Sequence, residues 1–198
     1  IETIETSKQL YEQGMLPVPH LAVRRIQNLQ ALEILIKQLS EKAKIKEILI
    51  IAGSINKPVG DLYESMQVLN SGLIQKYGIN KVGIAGHPEG SPDISDTELE
   101  KAMIDKKPYA DYIVTQWLLD PQPIIDFISK QSVPVHVGIT GPLKITSLIK
   151  FANIVGAKNS LNFLKSNFSK ALDLLKPKDP NDLIGKVKSH TDFFHIYT

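Results

Sequence analysis

The chain has no cysteine, which excludes disulfides, thiolate zinc sites and cysteine nucleophiles. A reducing cytosol fits that absence, and a cytoplasmic protein is expected. Arginine is confined to Arg24 and Arg25, and 23 basic against 21 acidic side chains leave a formal charge of only +2. Neither the forked donors nor the field that a polynucleotide calls for is there, so no nucleic-acid partner is expected. No run approaches the ~18 apolar residues of a membrane span, and residues 1–10 lack the basic start and apolar centre of a signal peptide, so no membrane partner is expected either. G-x-G-x-x-G, the dinucleotide fingerprint, does not occur after any early strand. What is there is 198 residues at 42% hydrophobic, enough for one cored domain and incompatible with disorder.

Short runs rich in Val and Ile recur between longer segments of helical period, the pattern of strands and helices alternating around a parallel sheet. Six strands are expected, at Leu16–Val23, Glu47–Gly53, Lys81–His87, Asp111–Leu118, Val133–Ile139 and Asp192–Tyr197. Ile26, Leu29, Leu32, Ile36 and Leu39 mark one helix, and Leu62, Met66, Leu69 and Leu73 the next. Helical stretches at Ile145–Ile154, Ser160–Leu175 and Asp182–Lys188 precede the last strand, with Pro177 and Pro180 forcing a break before the third. This spacing suits an open sheet or a closed barrel. Polar and glycine-rich residues at many strand ends (His20, Ala52-Gly53-Ser54, His87-Pro88-Glu89-Gly90, Thr115-Gln116, Thr140-Gly141-Pro142) favour the barrel, whose chemistry sits on that face.

Five stretches carry a more specific signal: PVPHLAV at 17–23, GIAGHPEGSPDIS at 83–95, DYIVTQWLLD at 111–120, VPVHVGITGPLKITSLIKFA at 133–152 and DFFHIYT at 192–198. In this order and spacing they resemble the methylenetetrahydrofolate reductases, and a variant subgroup more than the standard bacterial enzyme. The resemblance implies an α/β fold, a (β/α)8 TIM barrel, with strands three to eight in residues 1–198 as a single incomplete domain. Both ends are then expected to be cut.

It further implies a flavoprotein oxidoreductase of one-carbon metabolism. FAD is the cofactor, NAD(P)H the hydride donor and a reduced folate the substrate, 5,10-methylenetetrahydrofolate becoming 5-methyltetrahydrofolate; a homo-oligomer is compatible. By correspondence of motifs, His20 matches the histidine after the third strand, at the flavin. Ala52, Gly53 and Ser54 stand where the family has Arg-Gly-Asp, and Tyr63 matches a tyrosine covering part of the flavin. His87 and Ser91 stand for the tyrosine and histidine of the cofactor-holding motif, and Lys106 or Lys107 for the lysine that meets the flavin phosphates. Gln116 matches the glutamine that binds the pterin, and Ile145 takes the place of a phenylalanine against the folate.

The departures carry chemistry of their own. An acid about 4 Å from the reduced ring would interact with its charge by up to about 4 kcal/mol at an effective dielectric near 20, so Ser54 in that place implies a flavin that is easier to reduce. The family's proton-donating glutamate lies on a strand outside these residues, so no catalytic acid is named. Two other readings stand beside the reductase: a flavin-free tetrahydrofolate-dependent methyl or methylene transferase, and a degenerate barrel serving as a non-catalytic partner subunit.

Several of these residues also have a plainer reading. His20, His87, His136 and His195 read as strand histidines satisfied by packing or backbone, Gly53 and Gly90 as turn glycines, and Trp117 and Phe127 as core. Lys42, Lys44 and Lys46 read as a solvated helix end. Glu89 beside His87 lacks the third ligand a metal would need, so no metal is expected.

Overall fold

The computed structural model describes residues 2–53, 55, 57–91, 94–144, 146–147, 149–150 and 177–197. The expected helices at Ile145–Ile154 and Ser160–Leu175 therefore lie almost wholly outside the described residues. The chain is an α/β protein in which six parallel strands alternate with helices. It divides into two compact units, Ile1–Ala85 with Asp105–Asp111, and Gly86–Ile104 with Tyr112–Thr198.

The first unit holds α1 (Glu2–Glu12), β1 (His20–Ala22), α2 (Leu29–Ala43), β2 (Glu47–Ile51), the short α3 (Ser65–Leu69) and α4 (Leu73–Lys76), and β3 (Lys81–Gly86), whose last residue belongs to the second. Its strands run parallel, with His20 opposite Leu49 and Ile48 opposite Val82. β1 is shorter than the Leu16–Val23 expected from its apolar residues. Pro17 and Pro19 have no N–H to give a ladder, and Val23–Arg25 turns into a 3-10 helix. The helix expected through Leu62–Leu73 is two helices instead, because Gly72 sits between them at φ 71°, a left-handed conformation that a helix interior does not contain.

α2 follows the sequence closely. Its stripe Leu32, Ile36, Leu39 and Ala43 is fully buried, as are the sheet residues Ile48, Ile50 and Ile84 of the same unit. The Asn28 carboxamide caps it, accepting the Ala31 N–H at 2.9 Å. Asn28→Ala is expected to cost about 1 kcal/mol, a loss readable in a urea titration.

The second unit holds α5 (Asp96–Lys106, whose last two residues belong to the first), β4 (Tyr112–Trp117), α6 (Pro121–Ser129), β5 (Val135–Thr140), a two-stranded antiparallel ladder of β6 (Leu143–Lys144) and β7 (Pro177–Lys178), α7 (Asn181–Val187) and β8 (Phe194–Tyr197). Both β4 and β8 pair in parallel with β5. α6 starts on Asp120 and Pro121, a side-chain cap followed by the one residue whose missing N–H costs a first turn nothing. Among the described residues no helix is long and apolar enough to cross a membrane.

Candidate functional site

In the second unit the parallel strands β4, β5 and β8 end on Trp117, Thr140 and Tyr197. The carboxyl ends of parallel strands are where α/β folds place ligands. β4 carries an irregularity at that end. Val114 is opposite His136, yet Trp117 is opposite Gly138, so β4 has one residue more than β5 over the same span. This β-bulge falls on Thr115 and Gln116 and takes them out of the regular ladder.

Hydroxyl groups replace the lost ladder bonds. The Tyr197 hydroxyl donates to the Thr115 carbonyl at 2.9 Å, and the Thr115 hydroxyl donates to the Gln116 carbonyl at 2.8 Å while accepting the Gly138 N–H at 2.9 Å. Gly138 is required here, since a Cβ on it would lie 2.7 Å from the Thr115 carbonyl oxygen and 2.8 Å from that of Gln116.

Beyond this stitched backbone, the Gln116 carboxamide is buried at both Oε1 and Nε2 and neither atom has a hydrogen-bond partner among the described residues. Leaving such a group unpaired costs about 1–3 kcal/mol. The arrangement is one donor–acceptor pair, withdrawn from solvent and fixed at a strand end. It suits a planar heterocycle that presents an N–H beside a carbonyl.

The other expected residues of this unit lie on the loop after β3. His87 and Ser91 are half-buried, and Gly90 closes a turn by donating its N–H to the His87 carbonyl at 3.1 Å, at φ 80°. His136 is sandwiched between Tyr112 and Phe193, with ring centroids at 4.4 and 4.9 Å, and Trp117 is buried, so both serve packing. Ile145 lies outside the described residues.

His195 sits edge-on to Tyr197 at 4.8 Å, and burial holds its imidazole below its ordinary pKa of 6.5. A depressed folded-state value means that its contribution to stability is present above pH 6.5 and lost as pH falls through the folded value. His195→Gln is therefore expected to flatten the decline in melting temperature as pH falls below 6.5, as differential scanning fluorimetry would show.

The first unit collects a separate set. The expectation that His20 follows a strand is not met: it is the first residue of β1, exposed, and level with Leu49 in the middle of β2. The prolines before it delay the ladder, so Ala22 takes the strand end instead. Ala52 and Gly53 do lie at the end of β2. Gly53 is at φ 96° with only 3.3 Å between its Cβ position and the Cβ of Ala22, so a bare, left-handed backbone is needed there. Ser54 lies outside the described residues.

Arg24, which sequence reasoning passed over, organises the loop that follows. Its N–H bonds the Ala52 carbonyl at 3.0 Å and its guanidinium reaches the carbonyls of Tyr63 at 3.0 Å and Ile55 at 3.4 Å. The available signal was that one of only two arginines directly follows a strand. Tyr63, anchored through its backbone, is 55% exposed.

Lys106 is half-buried at the end of α5. Burial pushes its ammonium below the usual lysine range, and the Glu64 carboxylate partly opposes that shift. The unit thus carries a partly desolvated cation at Lys106, an exposed aromatic ring at Tyr63 and a bare backbone position at Gly53. Among the described residues no group of three or more His, Asp or Glu could hold a metal ion.

A scan of the chain against models of known protein families finds no match.

Proposed function

We propose that this chain is of the flavin-dependent methylenetetrahydrofolate reductase kind, in which the strands described above are the third to the eighth of a (β/α)8 barrel. The observation that supports the reading most is the buried, unpartnered carboxamide of Gln116. An amide edge of a pterin would satisfy its oxygen and its nitrogen together, removing a desolvation cost that the folded protein otherwise bears.

In this reading Gly53, Tyr63 and Lys106 hold FAD. Gly53 lets the backbone approach closely, Tyr63 offers an apolar face, and Lys106 gains an anion that makes its charged form less costly. His20, Ala52, Ser54, His87 and Ser91 are assigned to the same cofactor by resemblance alone. Bound FAD supplies the two-electron carrier between NAD(P)H and 5,10-methylenetetrahydrofolate. The protein binds and orients, and the cofactor carries the chemistry. Gln116 fixes the pterin by hydrogen bonds, and Ile145 is assigned to the folate by resemblance alone.

The full chain with FAD added is expected to show protein-bound flavin absorbance that bleaches on anaerobic addition of NADH or NADPH. Protein that leaves added FAD free in solution would remove the reductase. One observation favours a second reading. The turn at Ala52–Gly53 has no charged side chain toward a flavin, which suits a flavin-free tetrahydrofolate-dependent transferase; binding of reduced folate without FAD binding would select it.

A further inference from the structure

Gln116 is flanked by two carbonyls, its own and that of Thr115, and both are taken by hydroxyl groups instead of by the β5 ladder. The peptide plane joining Thr115 to Gln116 sets the direction from which the Gln116 side chain departs. One end of that plane is held from β8, a strand of four residues, by the hydroxyl of Tyr197. The Tyr197 ring also fills the space over Gly138, with its Cε2 2.7 Å from where a Cβ would stand.

We infer that Tyr197 is a positioning residue: by holding the Thr115 carbonyl within the β4 bulge, its hydroxyl fixes the direction in which Gln116 presents its carboxamide to a pterin-type amide edge. This rests on the folate reading above. Burial raises the Tyr197 phenol above its ordinary value of 10.0, so the hydroxyl keeps its proton, and its role as donor, throughout the neutral range. A phenylalanine at 197 would keep the ring and lose only the hydrogen bond.

The test is calorimetric titration of the full chain with 5-methyltetrahydrofolate, using wild type, Tyr197→Phe, Gln116→Leu and the double variant. Tyr197→Phe is expected to raise Kd about tenfold while the melting temperature moves by only a few degrees. In the Gln116→Leu background the same substitution is expected to change Kd less than twofold, because two residues acting through one contact are not additive. Thr115→Val, which removes the other hydroxyl without touching β8, should reproduce the pattern, and Thr115→Ser should restore binding.

An unchanged Kd in Tyr197→Phe, or the same tenfold loss with and without Gln116, would overturn the positioning role and leave the folate reading standing. Wild-type protein that binds no reduced folate would overturn both.

Discussion

Replacing Gln116 by leucine is expected to weaken reduced-folate binding about a hundredfold, roughly 2.8 kcal/mol at 1.4 kcal/mol per decade, and to stabilise the folded protein at the same time. The two signs have one cause. Both polar atoms of the carboxamide are buried without a partner among the described residues. An apolar side chain of similar size removes a desolvation penalty of about 1–3 kcal/mol. For a domain of this size each kcal/mol moves the midpoint by about 2–4 °C, so a rise of several degrees is expected. Residues kept for function at the expense of stability behave in this way. Opposite signs in a thermal melt and a folate titration would identify Gln116 as a ligand-binding group; a fall in stability with folate binding intact would make it a packing residue.

Gly138→Ala is expected to be the most damaging single-methyl change at the same end of the sheet. The added carbon would stand 2.7 Å from the Thr115 carbonyl oxygen, 2.8 Å from the Gln116 carbonyl oxygen and 2.7 Å from Tyr197 Cε2. Two of these neighbours are backbone held by hydrogen bonds, so the strain cannot relax into a flexible side chain. Overpacking of this kind costs about 1–3 kcal/mol, and displacement of the bulge should also reduce folate affinity tenfold or more. A urea titration with a shifted midpoint and an unchanged slope, alongside the folate titration, reads both effects. An alanine variant as stable as wild type would mean that β4 and β5 do not meet in this register.

Much of the fold could be read from residues alone. β2 and β3 match their apolar runs almost end for end, because Ile48 and Ile50, and Val82 and Ile84, are buried and leave no competing register. α2 was legible from its apolar spacing, and its Asn28 cap came only with the structure. The misreadings came from single residues that overrule a period. Pro17 and Pro19 shorten β1 and so move His20 to the start of a strand, and Gly72 divides one expected helix into two.

The site was legible only in part. Thr115-Gln116 stood out as polar residues at a strand end, but the extra residue that turns them out of the ladder comes from pairing with β5, which no local pattern records. Tyr197 was hidden for the same reason: 82 residues separate it from the carbonyl it holds. Arg24 was hidden because its partners are backbone carbonyls, which carry no side-chain signature.

The most direct test of the account is calorimetric titration of the full chain with 5-methyltetrahydrofolate, with Gln116→Leu in parallel. The account predicts one saturable site of micromolar affinity in the wild type and a loss of about a hundredfold in the variant, roughly 2.8 kcal/mol. No saturable heat up to millimolar folate, or equal affinity in both proteins, would contradict it.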